Sequence, residues 1–334
     1  MKKITIAGTV LTDVVKKIDV YPQKGMLVDI SSITQSVGGC VPNTAIDLKR
    51  LFPELAVTAV GRIGNDPTGE YLRSRLAKED IFVDFNVDEQ LPTSFTDVMT
   101  QKNGERTFFH ARGANAAFSP DVVSDDALDC DLFHLGYLLL LDGLDKEDEK
   151  YGTVAARLLH RAKERGARTA IDTVSAEGGR FKRIVGAALR YTDYAVMNEI
   201  EASAVTGVKL RDGDRLCTEN LKEACGALLK AGVSERAVIH CPELGCGMDK
   251  SGEFTVVPSL DLPAGYIVGA VGAGDAFCAA MLSSFVSGMS MEEGLALASL
   301  AAACNLSSAD SVGGARSYED TLALEKQFKR RSGI

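Results

Sequence analysis

The sequence predicts an α/β fold in which a mostly parallel central sheet carries helices on both faces. Short β-branched runs alternate along the chain with amphipathic segments, and this alternation is typical of a parallel sheet covered on both sides. Most of the predicted strands are apolar throughout, as strands buried on both faces should be. They are Lys3–Ala7, Ala56–Ile63, Leu132–Leu135, Arg168–Asp172, Tyr194–Met197 and Ala237–Cys241.

Apolar residues at helical spacing predict the covering helices. Two examples lie at 154–162 and 221–229, where apolar side chains recur three and four residues apart. In such sheets ligands bind outside the carboxyl ends of the strands. We therefore expect functional residues in the loops that follow strands.

Two stretches break this rhythm and predict a small projecting β-sheet. Ile18–Gln35 is polar and alternating, and Thr93–Ala111 has two alternating runs that flank Asn103-Gly104. Asn-Gly between alternating runs is the strongest short hairpin signal. We expect antiparallel strands, formed from about 14–36 and 93–112, that act as a lid on a single domain spanning residues 1–334.

Composition excludes several classes of protein. The 334 residues carry 37 basic and 46 acidic side chains, a net charge of −9, which argues against nucleic-acid binding and against an anionic membrane surface. The longest apolar stretches, including Phe133–Leu141, are far shorter than the ~20 residues of a membrane span. Met1–Val10 lacks the apolar region of a signal peptide. These features predict a cytoplasmic protein.

Cysteine and histidine spacing predicts no metal motif. None of the eight cysteines forms C-x-x-C, and the four histidines are widely spaced. We expect buried, reduced thiols. The sequence also lacks a P-loop, a dinucleotide fingerprint and a nucleophile elbow.

The segment "IVGAVGAGDAF" carries the most chemical information. Gly272, Ala273 and Gly274 leave backbone N–H groups unobstructed where an apolar helix begins, before Ala276–Val286. That arrangement binds anions through backbone donors and the helix dipole. Asp275, in the first turn, suits a general base that takes a proton from an attacking hydroxyl. The alternative is that Asp275 only caps the helix.

Three further sites offer polar groups at strand ends. Gly38 and Gly39 permit close backbone approach to a ligand, and Asn43 lies on the helix turn that follows, with a donor and an acceptor for a polyol. Asp13 follows the first strand, where it is either a ligand contact or an acidic residue of a solvated loop. Asn198 and Glu201 begin another helix, where they either cap it or bind Mg²⁺ through carboxylate oxygen.

In this order, these segments resemble the PfkB family of carbohydrate kinases, which has the ribokinase-like fold. "GGCVPNTA" resembles the family's G-G-x-x-x-N-x-A signature, and "GRIGNDPTG" its G-x-x-G-x-D-x-x-G continuation. "NEIE" matches N-x-x-E, and "GAGDAF" matches the core of the second signature. The resemblance covers essentially the whole chain.

The resemblance implies an ATP-dependent kinase that phosphorylates a hydroxyl of a small sugar or sugar acid. Asp275 would be the base, and the amides of residues 272–274 would form the anion hole. Asn198 and Glu201 would organise the phosphates and Mg²⁺. The sugar would be held by Asp13, Gly38, Gly39 and Asn43. The lid would close over the sugar. The resemblance also implies a homodimer whose interface is formed by the lid.

The sequence departs from the family pattern at two places. The second signature usually begins D-T, and these positions are Gly269 and Ala270, which puts potassium activation in doubt. The family's T-x-G-x-x-G nucleotide turn corresponds to His240–Gly245, with Pro242 where a glycine is usual. The nucleotide-binding residues that we expect here are His240, Glu243 and Gly245.

Residues near the lid leave the substrate open. Arg112 is a candidate partner for a substrate carboxylate, or else it binds the protein's own acids. Asn115 is a candidate contact for a nucleoside or a hexose. Phe108, Phe109 and Phe118 either stack on a base or pack in the lid. The alternatives to a sugar kinase are therefore a nucleoside kinase and a non-catalytic sensor of sugars or nucleotides.

Overall fold

The computed structural model describes residues 1–102, 105–174 and 180–332. The predicted Asn103-Gly104 turn lies outside these residues. The strands, in chain order, are β1 (Lys3–Gly8), β2 (Leu11–Ile18), β3 (Ile30–Gly38), β4 (Ala56–Gly64), β5 (Phe82–Asp88), β6 (Ser94–Gln101), β7 (Arg106–Ala111), β8 (Leu132–Leu138), β9 (Glu147–Asp148), β10 (Gly152–Thr153), β11 (Arg168–Thr173), β12 (Tyr194–Asn198), β13 (Arg211–Asp212), β14 (Arg215–Leu216), β15 (Arg236–His240), β16 (Leu244–Asp249) and β17 (Phe254–Pro258).

Between and after these strands lie the helices α1 (Cys40–Leu51), α2 (Pro67–Ala77), α3 (Asp125–Leu128), α4 (Val154–Glu164), α5 (Arg180–Leu189), α6 (Glu199–Thr206), α7 (Leu221–Ala231), α8 (Ala273–Ser287), α9 (Met291–Leu306) and α10 (Tyr318–Leu322). Within the described ranges, no helix has the length and apolar character needed to cross a membrane.

The predicted mostly parallel sheet is confirmed. A nine-stranded sheet has the order β17-β16-β15-β12-β11-β8-β1-β4-β5. Its strands run parallel from β15 to β5, and β16 and β17 are antiparallel at one edge. The carboxyl ends of β1, β8, β11, β12 and β15 therefore meet at one edge of the sheet.

Two hydrophobic layers hold helices on opposite faces of this sheet. One layer packs α4, α5 and α7 against one face through side chains such as Leu158, Ile184 and Leu228. The other packs α1, α8 and α9 against the opposite face, where Ile46 and Met281 are fully buried. Because α1 and α8 share this second layer, their N-terminal turns lie side by side at the carboxyl edge of the sheet.

The small separate sheet is also confirmed, with one change of pairing. Its order is β3-β2-β6-β7. The β2–β3 and β6–β7 pairs are antiparallel, as expected, but β2 and β6 run parallel. Each of these two strands follows a main-sheet strand, β1 or β5, across a short connection, so both keep a common direction.

Asp47 is a buried carboxyl without a partner. It lies in α1, is 1% exposed, and neither of its carboxylate oxygens has a hydrogen-bond partner in the described part of the chain. Burial raises its pKa well above the usual range, the charge of Asp275 adds to this, and Arg50 opposes it. Charging this group therefore costs free energy in the folded state.

We predict that Asp47→Asn stabilises the protein, and more so at high pH. Because the folded-state pKa is raised, the native carboxyl carries no penalty below its unfolded pKa of about 4, and stability is lost as pH rises above it. The melting temperature should increase by about 1–2 °C at pH 8 for each kcal/mol relieved, and by less at pH 5. Calorimetry at both pH values checks this.

Asp261→Asn, at an exposed aspartate, is the matched control and should change the melting temperature little at either pH. A loss of stability in Asp47→Asn at pH 8, or an equal gain at both pH values, would contradict the assignment.

Candidate active site

Asp275 lies in the first turn of α8 and is 6% exposed. Two side chains donate to its carboxylate. The Tyr137 hydroxyl is 2.5 Å from Oδ1, and Nδ2 of Asn43 is 2.9 Å from Oδ2. Burial raises the pKa of Asp275 to about 6, and these two donors oppose the rise. The carboxylate is therefore fixed in orientation and titrates close to neutral pH.

The two donors come from different elements that Thr9 joins. Asn43 lies on α1, and Tyr137 lies on β8. The Thr9 hydroxyl accepts from the backbone N–H of Cys40 at 3.0 Å and of Tyr137 at 3.3 Å. The end of β1 thus sets the start of α1 against the end of β8, and so places both donors on one carboxylate.

Gly272 caps α8 in a left-handed conformation with a φ of 82°. A β-carbon there would lie 2.1 Å from the carbonyl oxygen of Ser311, so only glycine fits. Within the described residues, no side chain caps this helix. Residues 272–274, whose backbone N–H groups begin the helix, are partly exposed, as an anion site requires.

Gly39 precedes α1 as Gly272 precedes α8, and only glycine fits there for the same reason. Its φ is 86°, and a β-carbon would lie 2.7 Å from the Thr9 carbonyl oxygen. At Gly38, a β-carbon would lie 2.5 Å from Oδ2 of Asp13. The two glycines therefore bring the chain against Asp13 and the end of β1, next to Asn43.

Asp13 lies on the small sheet in a row of polar side chains. The register pairs Asp13 with Ser36 on one side and Thr96 on the other, and pairs Thr96 with His110. Thr96 Oγ1 is 3.1 Å from Nδ1 of His110. Burial and the charge of Asp275 raise the pKa of Asp13 to about 7, although a hydrogen bond with Thr96 lowers it. This row of side chains therefore lies close enough to Asp275 for the charges of Asp13 and Asp275 to interact.

Asp275 opens onto a cavity of about 310 Å³ that contains several acids. Burial raises the pKa of Asp172 well above its usual range, and the charges of Glu201 and Asp275 add to the rise. The cavity thus gathers acidic groups whose ionisation a divalent cation would favour. Its lining comprises Tyr137, Asp172, Thr173, Val174, Asn198, Glu201, His240, Gly274 and Asp275.

Asn198 and Glu201 cap helix α6, which is one of the two roles that the sequence predicts for them; the other is Mg²⁺ binding. Asn198 Oδ1 accepts from the backbone N–H of Ile200 and Glu201 at 2.9 Å, and Glu201 Oε2 accepts from the backbone N–H of Asn198 at 3.1 Å. These contacts hold both side chains at the wall of the cavity, so the capping box also positions them there.

The structure separates the three expected nucleotide residues. His240 lines the cavity, and its ring stacks on Phe277 with centroids 4.7 Å apart. Glu243 forms a two-pronged ion pair with Arg211 at 2.6 and 2.7 Å. Gly245 is buried against Phe277 and does not line the cavity. Strand pairing between β15 and β16 turns Gly245 into the core, so of the three residues only His240 lines this cavity. Nucleotide contacts by Glu243 and Gly245 stay a prediction.

Arg112, Asn115 and Phe118 make contacts within the protein. Arg112 Nη1 pairs with Asp142 at 2.8 Å, so the alternative of an internal acid partner describes it. Asn115 Oδ1 accepts from the backbone N–H of Val10, which is a structural contact. Phe118 is fully buried. By strand alternation, Phe108 shares the face of Asp13, and Phe109 lies on the opposite face.

Gly269 offers no ligand side chain, and its surroundings leave no room for one. A β-carbon there would lie 2.7 Å from the Ser308 carbonyl oxygen. This is consistent with the departure from the usual acidic residue at this position.

Sequence reasoning missed four residues of the site. Tyr137 and Asp172 end β8 and β11, so the rule that ligands bind at carboxyl strand ends could have identified them. Thr96 and His110 follow only from the register of the small sheet. That register was not readable from the sequence.

Comparisons with known proteins agree with this geometry. The model of the pfkB family carbohydrate kinases matches residues 1–315. A ribokinase from Arabidopsis thaliana is 26% identical over 303 residues, which cover 90% of this chain and 74% of that protein. An ATP-dependent ribose-1-phosphate kinase from Halopiger xanaduensis is 27% identical over 299 residues, 88% of each chain.

A solved structure shows the same fold. Arabidopsis thaliana ribokinase complexed with ribose and ATP superposes with a TM-score of 0.78 at 22% identity, covering 98% of this chain and 99% of that one. The family match spans nearly the whole sequence, and the relatives share the phosphotransferase class. The chain therefore belongs to the pfkB family of carbohydrate kinases, phosphotransferases that use an alcohol group as acceptor.

Proposed function

We propose that this protein transfers the γ-phosphoryl group of ATP to a hydroxyl of a small neutral sugar, with Asp275 as general base. The observation that carries the proposal is the position of Asp275. It is buried in the first turn of α8, beside the backbone N–H groups that begin this helix, and two donors fix its orientation. A base and an anion site thus adjoin one cavity.

Each part of the site has a distinct role in the transfer. The Asp275 carboxylate accepts the proton of the attacking hydroxyl, and the N–H groups of Gly272, Ala273 and Gly274 receive the negative charge of the transferred phosphoryl group. Asn43 and Tyr137 orient Asp275. The small sheet covers the sugar and limits the access of water.

The acid-rich cavity fits a magnesium ion, which prefers carboxylate oxygens and phosphate. We assign Glu201 to hold Mg²⁺, directly or through its water shell, with Asn198 and His240 at the nucleotide phosphates. Bound Mg²⁺ would neutralise the charge of the phosphates. Since Gly269 has no side chain, we propose that activity does not require potassium.

A neutral sugar suits the charges of the site better than a sugar acid. Arg112, the candidate partner for a carboxylate, is paired with Asp142. The groups that face the substrate side of the lid are Asp13, Thr96 and His110, which exchange hydrogen bonds with hydroxyls. Burial and the charge of Arg112 lower the pKa of His110, so its ring is neutral at pH 7 and does not attract an anion.

A nucleoside is the second candidate substrate. Phe108 lies on the same face of the small sheet as Asp13 and is 58% exposed. An exposed aromatic ring on that face is able to stack on a base.

We predict that Asp275→Asn lowers kcat by about 10²–10⁴-fold, the usual contribution of a general base. The measurement is ADP formation with Mg²⁺ and ATP across pentoses, hexoses, a sugar phosphate, a sugar acid and nucleosides. The native protein should turn over a neutral sugar. The matched control is Asp47→Asn, a buried aspartate outside the cavity, and it should keep kcat within about threefold.

Near-native kcat in Asp275→Asn would reject its role as base. Turnover of the sugar acid or a nucleoside alone would leave that role intact and reject the neutral substrate.

We predict that kcat falls tenfold per pH unit below about pH 6, because the base must be ionised and the pKa of Asp275 is raised to about 6. Tyr137→Phe should shift this limb upward. A hydrogen bond to a charged group contributes about 1.5–3 kcal/mol, which corresponds to a shift of about one to two pH units. The pH profile of kcat from pH 5 to 9 measures both effects.

Asp13→Asn is the control for this profile. Asp13 lies on the substrate side of the lid, so its loss should raise KM. Because Asp13 and Asp275 repel each other, removing the charge of Asp13 should lower the kcat limb or leave it in place, opposite to the effect of Tyr137→Phe. An unchanged profile in Tyr137→Phe would show that Tyr137 does not tune the base.

We propose that two copies of the chain associate through the outer face of the lid, opposite to Asp13. This face exposes Ile33, Phe95 and Phe109, at 62%, 37% and 51%. Lys16 and Asp97 form an ion pair at 2.6 Å on the same face. A patch that combines apolar groups with both signs of charge complements a second copy of itself.

We predict that Phe109→Asp converts a dimer into a monomer, because a carboxylate would be buried unpaired in the interface. Light scattering after size-exclusion chromatography measures the mass. Phe82→Asp, at a residue of β5 that is 70% exposed, is the matched control and should remain dimeric. A native monomer, or a dimeric Phe109→Asp variant, would contradict the interface.

A further inference from the structure

A cluster of metal-ligating side chains lies below the active site, between the sheet and helices α1 and α8. Its members are Cys40, His134 and Asp172, whose ligand atoms lie within 4.8 Å of one another. Cys278 adjoins them, with its sulfur 3.9 Å from Nε2 of His134. Sequence spacing does not reveal this group, because it brings together β8, β11, α1 and α8.

The distances suit one small, thiophilic cation. Cys40 Sγ is 3.4 Å from Nε2 of His134. Two ligands of one tetrahedral zinc ion, with bonds of about 2.3 Å to sulfur and 2.0 Å to nitrogen, lie about 3.5 Å apart. The Cys278 sulfur lies 3.9 Å from the same nitrogen, slightly beyond this separation. Sulfur, imidazole and carboxylate are the ligand types that zinc takes.

Packing does not explain the imidazole at this place. His134 is 0% exposed, and its Nδ1 has no hydrogen-bond partner in the described part of the chain. Its Nε2 faces only the two sulfurs among the hydrogen-bonding contacts described, and these are weak partners. Burying a polar ring without good partners costs free energy, which bonding to a cation would offset.

The ring is in the protonation state that a metal requires. Burial lowers the pKa of His134 to about 3, so the imidazole is neutral and has a lone pair to share. Burial raises the pKa of the Cys278 thiol, and negative charge on Asp172, Cys40, Asp275 and Glu201 adds to the rise. The cluster thus lacks a positive charge that a divalent ion would supply.

We propose that Cys40, His134 and Asp172, with Cys278 as fourth ligand, bind one zinc ion or a similar thiophilic divalent cation. Binding replaces the Cys40 and Cys278 thiol protons, which pass to solvent, with bonds from sulfur to the metal. The ion enters from the active-site cavity, because Asp172 lines both.

The site is coupled to phosphoryl transfer through its neighbours. Cys40 follows Gly39 directly, and Cys278 lies one turn after Asp275 on α8. The ion also engages Asp172, which contributes to the negative field of the cavity. Bound zinc therefore inhibits the kinase, because it moves Cys40, Cys278 and Asp172. Their movement displaces the neighbouring groups on which phosphoryl transfer depends.

The test is a titration of the reduced, metal-free full-length protein with Co²⁺ under anaerobic conditions. We expect one equivalent to produce the intense visible bands of four-coordinate cobalt and a near-ultraviolet thiolate-to-cobalt charge-transfer band, and Zn²⁺ to abolish both. A cobalt ion bound only by the carboxylates of the cavity gives weak visible bands and no thiolate band.

Variants assign the ligands. Cys40→Ser should abolish most of the charge-transfer band, and His134→Gln should weaken Zn²⁺ binding by at least about 100-fold, since loss of a group that merely orients a ligand already costs about 10–100-fold. Cys304→Ser, at a buried thiol near Thr321, is the matched control and should bind as the native protein does. Circular dichroism verifies that the variants fold. If Cys40→Ser does not fold, Zn²⁺ binding by His134→Gln tests the proposal.

Absence of the thiolate band in the native protein, or its persistence in Cys40→Ser, would overturn the proposal. A phosphoryl-transfer assay provides a separate readout, in which one equivalent of Zn²⁺ should inhibit the native enzyme and the Cys304→Ser variant but not His134→Gln. Inhibition that persists in His134→Gln would overturn the coupling to catalysis. If the protein shows the thiolate band but has no kinase activity, only the proposed function is rejected.

Discussion

The burial of one carboxylate organises this molecule. Asp275 lies at the N-terminus of α8, and its two donors come from α1 and β8. Thr9, at the end of β1, binds the backbone that precedes Asn43 and the backbone of Tyr137. The sheet and two helices must therefore be in register before the carboxylate is satisfied, because an unpaired charge at this depth is costly.

The excess of acidic groups explains the rest of the site. Burial raises the pKa of Asp13, Asp172 and Asp275. The charges of neighbouring acids add to the rise for Asp13 and Asp172. The structure thus accepts a cost in stability in order to gather acidic groups, whose negative charge bound cations and hydroxyls would stabilise. The proposed magnesium and zinc sites both follow from that charge, and they differ in ligand type, since only the deeper one includes sulfur.

Local motifs were predictable from the sequence and long-range contacts were not. Gly272 and Asp275 lie in one turn of helix, so their relative placement follows from chain geometry alone. Tyr137, Thr96 and His134 reach the site through strand order and register, which depend on how distant segments pair. Likewise, the ion pair between Arg211 and Glu243 joins residues 32 positions apart, and no local pattern predicts it.

A carbon-13 NMR titration of the aspartate carboxyl groups tests the role of Asp275 most directly, with Asp275→Asn assigning the resonance. A carboxylate that is buried, charged and held by Tyr137 and Asn43 should titrate near pH 6, where it is able to serve as a base. A midpoint at or below the ordinary aspartate value of about 4 would contradict the claim that burial prepares this group for proton transfer.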